Sequence, residues 1–255
     1  MRFRDRREVG RRLAARLIEY ADRPDVIVLA LPRGGVPVAY EIAEALGAPL
    51  DVFLVRKLSV PGHEDLAMGA VASGGVSVLN EDVVRYLDIS GDTVDEVTER
   101  ERRELERGER LYRGERAAPD LSGRAIILVD DGLGTGSTVR AAPGLVRQHR
   151  PERVIVAVPV ASRATCESFN DLADCVVCVN ETAPDARHAV GLWYDDFSPT
   201  TDEEARELLD QNLRHIACDC SCWTSQVSNG SYNQERGRKE GAHFRSRVPR
   251  SAISD

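Results

Sequence analysis

Short, almost wholly apolar runs alternate with segments of helix length, and this alternation constrains the fold more than any other feature. Val26–Leu31, Ala125–Val129 and Arg153–Val160 are runs of this kind. Strands that are buried on both faces of a parallel sheet have this composition, and the segments between them supply the crossover helices. The sequence therefore predicts an α/β fold: a Rossmann-like parallel sheet with helices on both faces.

The residues that follow one of these runs indicate a ligand site. Asp130 and Asp131 follow Ala125–Val129, and a loop rich in glycine and hydroxyl groups comes next. Ligands of such folds bind beyond the carboxyl ends of the strands. Backbone N–H groups and hydroxyls at a helix N-terminus suit a phosphate, whereas carboxylates accept hydrogen bonds from sugar hydroxyls or balance a cation. The combination predicts a site for a sugar phosphate.

Two common phosphate loops do not fit this sequence. A Walker A loop places lysine after its last glycine, but Gly136 is followed by Ser137. A dinucleotide fingerprint needs a third glycine where Ser137 stands, and its acid comes after the loop. The stretch is therefore neither of these motifs.

Residues 129–138, V-D-D-G-L-G-T-G-S-T, resemble the phosphoribosyl pyrophosphate (PRPP) motif of type I phosphoribosyltransferases. The resemblance covers roughly residues 7–213. It implies that Asp130 and Asp131 are catalytic, hold the ribose hydroxyls and offset positive charge in an oxocarbenium-like transition state. It also implies Mg²⁺, bound mainly through PRPP, with Asp130 and Asp131 as the possible protein ligands. The implied 5-phosphate site consists of Gly134, Thr135, Gly136, Ser137 and Thr138.

A second loop, L-P-R-G-G-V, follows the first apolar run. Its glycines let the backbone approach a ligand, and the Arg33 guanidinium suits phosphate. The resemblance implies a cis peptide between Pro32 and Arg33 and a pyrophosphate site formed by Pro32, Arg33, Gly34, Gly35, Arg56 and Lys57. For Arg56 and Lys57, ordinary charge at a strand end is the alternative. Near residue 193 the family often has an aromatic platform for the base, and Trp193 or Tyr194 fits it; packing in the core is the alternative.

The resemblance implies transfer of the 5-phosphoribosyl group from PRPP to a nitrogen nucleophile, a nucleobase, with release of pyrophosphate. Enzymes of this family that act on 6-oxopurines usually have an acid where this chain has Gly134, so those bases are less favoured. A regulator that senses PRPP or a nucleotide without turnover is the main alternative. Transfer to another amine, or a phosphoribosyl hydrolase or phosphorylase, also remains open.

We expect one domain over residues 1–215, with an insertion at about 57–118 and a small hood at about 180–200. The insertion contains a flexible loop over residues 59–70, a hairpin and a charged helix over 91–113. The serine- and glycine-rich residues 216–255 are expected to form a disordered tail.

Composition bounds the partners and the location. No apolar run has the length of a membrane span, and no signal peptide is recognisable, so we expect a cytoplasmic protein. The net charge of −8 disfavours nucleic acid as a partner, and the family resemblance implies a homodimer. Cys166, Cys175 and Cys178 are expected to be buried structural thiols.

Overall fold

The computed structural model describes residues 2–132, 137–162, 166, 167, 169, 171–182 and 190–228. The chain divides into two units, residues 1–219 and 220–255, and only a helical backbone up to Ser228 is described in the second. The helices are α1 (Arg6–Arg16), α2 (Gly35–Leu46), α3 (Glu81–Tyr86), α4 (Gly91–Arg113), α5 (Ser137–Arg147) and α6 (Asp202–Ser228). The strands are β1 (Val26–Ala30), β2 (Leu50–Val52), β3 (Val55–Val60), β4 (His63–Ala72), β5 (Ser77–Leu79), β6 (Ala125–Val129), β7 (Arg153–Ser162) and β8 (Cys175–Thr182).

A parallel sheet forms the centre of the first unit, as the sequence predicts. In the described part of the chain its strand order is β2-β1-β6-β7-β8. Alternate residues of β1 enter two different apolar clusters: Val26 and Val28 pack with α1 and α2, whereas Ile27 and Leu29 pack with α5. Both faces of the sheet are therefore covered, which confirms the α/β prediction.

The insertion after β2 is an antiparallel hairpin sheet followed by two helices. The run predicted as one strand over 51–56 divides at Phe53 and Leu54, so that β2 stays in the parallel sheet and β3 begins the sheet β3-β4-β5. Residues 59–70, predicted as a flexible loop, lie mostly in β3 and β4, which pair directly with each other. The charged helix α4 spans Gly91–Arg113, as predicted.

A cluster of charges ties the end of α4 to the parallel sheet. Arg113 is buried, and its Nε lies 2.9 and 3.0 Å from the two carboxylate oxygens of Asp51. Its other nitrogens donate to Glu109 at 2.7 Å and to the Val52 carbonyl at 2.7 Å. Burial raises the pKa of Asp51 even beside this cation, so the pair is held where water is largely excluded.

The hood is built on the N-terminal segment, which sequence reasoning did not foresee. The Phe3 N–H donates to the Trp193 carbonyl at 2.7 Å, and the Asp195 N–H donates to the Phe3 carbonyl at 2.8 Å. Asp196 N–H then donates to the Arg4 carbonyl at 2.9 Å. These bonds place the start of α1 directly beside residues 190–197.

Two other expectations meet the structure at the C-terminal side of the chain. Cys178 is buried, but Cys175 is exposed, because a spacing of three along β8 places the two side chains on opposite faces; the expectation of two buried thiols is wrong for Cys175. Helix α6 continues through residues 216–228, which we place in the tail, and residues 229–255 lie outside the described part. None of the described helices is both long and apolar enough to cross a bilayer.

Candidate active site

The acid pair and the Pro32–Gly35 loop meet at one edge of the parallel sheet. β1 and β6 are neighbours, and the chain runs from β1 to β2 on one side before it returns to β6 on the other. Such a reversal of strand order opens a crevice at the carboxyl ends, where ligands of these folds bind. The Leu31 N–H donates to the Val129 carbonyl at 2.8 Å, so the two loops start side by side.

Gly34 and Gly35 are packed against the acid pair with no room for a side chain. A Cβ atom on Gly34 would lie 2.0 Å from Oδ2 of Asp131, and one on Gly35 would lie 2.7 Å from the Val129 carbonyl oxygen. The Pro32–Arg33 peptide is cis, as the family resemblance implies. Contact between backbone and carboxylate therefore explains both glycines.

Asp131 is held by residues from both ends of the domain. Nε and Nη2 of Arg6, in the first turn of α1, each lie 2.8 Å from Oδ2 of Asp131. The hydroxyl of Tyr194 donates to the Asp131 carbonyl at 2.8 Å. Sequence reasoning missed Arg6; the available signal was a cation at the start of a helix, where the helix dipole disfavours positive charge.

Asp130 lies in a site that disfavours its charge. Burial is the main cause that raises the pKa of Asp130 well above its usual range, and the neighbouring Asp131 carboxylate raises it further. Arg6 acts in the opposite direction. The crevice is thus short of positive charge, which suits a ligand that brings a cation or develops one.

The hood residues do not form the predicted pair of stacking platforms. Tyr194 is 1% exposed and stacks on Phe197, with 4.9 Å between ring centroids. Its ring is therefore covered, and the expectation that it stacks on a base is wrong. Trp193 is half-buried and packs against the larger apolar cluster.

Arg56 and Lys57 are not presented together to one ligand, contrary to expectation. Successive residues of a strand point to opposite faces. The Arg56 guanidinium lies 2.9 Å from Glu101 of α4, whereas Lys57 lines a cavity of about 210 Å³ between the hairpin sheet and α5. Arg33 is half-exposed, with Nη1 3.8 Å from Oδ2 of Asp202 at the start of α6.

The predicted 5-phosphate loop is described only at its end. Ser137 and Thr138 begin α5, and Gly134, Thr135 and Gly136 lie outside the described residues. The described residues contain no group of three or more side chains that could hold a metal ion by themselves. Two adjacent carboxylates nevertheless fit Mg²⁺ that arrives with a phosphorylated substrate, because Mg²⁺ usually keeps water and substrate oxygens among its ligands.

Comparisons with known proteins agree with this geometry. Two Mycobacterium tuberculosis proteins, from strains H37Rv and CDC 1551 and provisionally named phosphoribosyl transferases, are 44% identical over 216 residues. The match covers 84% of this chain and 48% of each relative, so the chain spans about half the length of these proteins. The crystal structure of TT1426 from Thermus thermophilus is 42% identical, has a TM-score of 0.71, and covers 82% of this chain and 98% of its own.

The family model for the phosphoribosyl transferase domain matches residues 5–196. That range begins next to Arg6 and ends in the hood, and so contains both loops of the crevice and the whole parallel sheet. The chain belongs to the phosphoribosyl transferase domain family, with the type I fold of that family.

Proposed function

We propose that this protein transfers the 5-phosphoribosyl group from PRPP to a nitrogen nucleophile, a nucleobase, and releases pyrophosphate. The observation that carries the proposal is the contact of the Pro32–Gly35 loop with Asp131 at the crevice between β1 and β6. One loop suits pyrophosphate and the other suits the ribose phosphate, so the bond between them lies where the two loops meet.

In this proposal Asp130 and Asp131 accept hydrogen bonds from the ribose hydroxyls. Their carboxylates lie where positive charge develops on the ribose as pyrophosphate departs, and fixed charges in a dry site stabilise such a transition state strongly. Arg33, Gly34 and Gly35 bind the pyrophosphate. The 5-phosphate is bound at the N-terminus of α5 by the 134–138 loop, where unpaired N–H groups favour an anion.

Mg²⁺ fits this scheme as a substrate-borne cation. When bound, it neutralises the phosphate oxygens and makes pyrophosphate a better leaving group. Asp130 and Asp131 are the protein groups that would hold it or its waters. The raised pKa of Asp130 supports this role, because a site that disfavours carboxylate charge gains most from a nearby cation.

The acceptor is the less constrained part of the proposal. Gly134 lacks the acid that 6-oxopurine enzymes carry in this loop, so other bases are favoured. Trp193 remains as the aromatic side chain proposed for the base, since Tyr194 is covered. Following the family, we also propose that the protein acts in the cytoplasm as a homodimer, without nucleic acid as a partner.

The proposal is tested by incubating the protein with PRPP, Mg²⁺ and a panel of nucleobases while released pyrophosphate is measured. We expect base-dependent release that Asp130→Asn and Asp131→Asn each reduce by at least about 100-fold, as expected when a group that stabilises transition-state charge is lost. Asp195→Asn is the matched control, because that acid is exposed in the hood and pairs only loosely with Arg2, 3.4 Å away.

Two outcomes would contradict the proposal. Tight PRPP binding without pyrophosphate release from any base would instead support a regulator that senses PRPP. Release that is unchanged in both acid variants would remove Asp130 and Asp131 from the proposed mechanism.

A further inference from the structure

Arg6 has more partners than a helix-end arginine needs for stability. Its side chain is 11% exposed, and two of its N–H groups converge on one oxygen, Oδ2 of Asp131, each at 2.8 Å. The other carboxylate oxygen, Oδ1, accepts no hydrogen bond from the residues that the structure describes. The arrangement fixes one oxygen of Asp131 and leaves the other for a ligand.

The same guanidinium is itself held in place by the hood. Nη1 of Arg6 donates to the Ser198 carbonyl at 2.7 Å, and its carbon lies 4.0 Å from the centroid of the Phe197 ring. Phe197 stacks on Tyr194, whose hydroxyl returns to the Asp131 carbonyl. These contacts form a closed ring from Asp131 through Arg6, Phe197 and Tyr194 back to Asp131, so the guanidinium has little freedom to rotate.

The position of Arg6 also breaks a local rule of helix stability. It follows the N-cap residue Asp5, whose side chain accepts the Glu8 N–H at 2.8 Å, and therefore lies at the positive end of the α1 dipole. Local rules are broken most often where function requires it. Arg7, the next residue, makes the ordinary surface contact instead: its Nη1 lies 3.1 Å from Glu41 and its side chain is 44% exposed.

We propose that Arg6 is the positioning residue for Asp131: it locks the carboxylate so that Oδ1 faces the ribose of PRPP, and it ties that carboxylate to the hood. This inference rests on the proposed function for the identity of the ligand. Arg6 acts through Asp131 and does not touch the reacting atoms. Because a guanidinium binds a carboxylate in a fixed fork, lysine replaces it poorly at such a site.

The test is a double-mutant cycle between Arg6 and Asp131, measured on PRPP binding with Mg²⁺ by calorimetry and on kcat/KM for PRPP. We expect Arg6→Met to weaken both by about 10- to 100-fold, the range found when a group that orients a ligand-binding carboxylate is removed. In the Asp131→Asn background, Arg6→Met should change PRPP binding by less than about twofold, because the carboxylate to be positioned is gone.

Arg7→Met is the matched control, with the same charge change one residue away, and should leave PRPP binding unchanged. Arg6→Lys, a milder substitution, should fold even where Arg6→Met does not and should give an intermediate loss. Equal losses from Arg6→Met in both backgrounds, or wild-type affinity in Arg6→Lys and Arg6→Met, would overturn the proposal.

The cycle separates this proposal from the proposed function. A wild-type protein that binds PRPP but releases no pyrophosphate contradicts the transferase function, whereas the binding cycle still decides the role of Arg6. A wild-type protein that does not bind PRPP contradicts both.

Discussion

Replacing Gly34 by alanine tests whether the pyrophosphate loop and the acid pair are as tightly joined as the structure indicates. The backbone of Gly34 has φ −61° and ψ −30°, which any residue adopts, so the added methyl group is the only perturbation. That methyl carbon would lie 2.0 Å from Oδ2 and 2.5 Å from Cγ of Asp131, where ordinary contacts begin near 3.4 Å. The carboxylate must therefore move by about 1.4 Å (3.4 − 2.0).

Such a movement cannot be absorbed by a flexible side chain, because Oδ2 is held by two Arg6 donors at 2.8 Å. Overpacking of this kind costs about 1–3 kcal/mol, and the loss of hydrogen bonds between charged groups costs about 1.5–3 kcal/mol. Since the two terms overlap, we expect a loss of about 2–3 kcal/mol in the free energy of unfolding. For a domain of this size that lowers Tm by roughly 4–12 °C.

Urea denaturation measures this loss, and Gly91→Ala is the control. Gly91 begins α4 with nothing within 4 Å of an added Cβ, so its substitution should be neutral or slightly stabilising. In an Asp131→Ala background the Gly34→Ala loss should fall below about 0.5 kcal/mol, because the clashing atoms are gone. An unchanged loss in that background would refute the proposed contact, and no loss in the wild-type background would refute it as well.

Two further predictions concern buried charge. Asp130→Asn is expected to stabilise the ligand-free protein at about pH 7 by about 1 kcal/mol while it removes activity, because burial and Asp131 raise the pKa of Asp130 in the folded state. The folded state then holds that proton more tightly than the unfolded state, so the cost of the charge is present above the raised pKa and is gone below the ordinary aspartate pKa. Melting curves between about pH 3 and pH 8 check this, and a gain independent of pH would contradict it. Asp51→Ala, which leaves the buried Arg113 guanidinium without its main partner, should cost about 3–5 kcal/mol in urea denaturation. Joint replacement by Asp51→Leu and Arg113→Met should cost less than half as much, and equal costs would show that the charge pair is not the cause.

The elements that the sequence predicts well are those set by local pattern. Burial on both faces leaves a nearly continuous apolar run, so β1, β6 and β7 are visible in the sequence, and the charged helix α4 has its expected bounds. The cis peptide before Arg33 followed from the family resemblance. The opposite faces of Arg56 and Lys57 were also within reach of sequence reasoning, because strand periodicity alone separates neighbouring side chains.

Other features depend on where the chain returns after long excursions. The break of the second strand at Phe53 and Leu54 is decided by which sheet each half can pair with, and the burial of Tyr194 depends on Phe3 and Phe197 closing over it. No local pattern encodes either outcome. An aromatic residue in a hood has the same sequence signature whether it is exposed for a base or packed inside.

The sequence by itself determined that two acids and a phosphate loop follow a buried strand, because strand burial and turn chemistry are local properties of neighbouring residues. Only the tertiary structure decided what those acids touch. The Asp131 carboxylate meets Gly34 from the next strand and Arg6 from a helix 125 residues earlier, since parallel strands bring distant loops to one edge of the sheet. Contacts between residues so far apart depend on packing across the whole domain, and it is there that the chain positions its carboxylate.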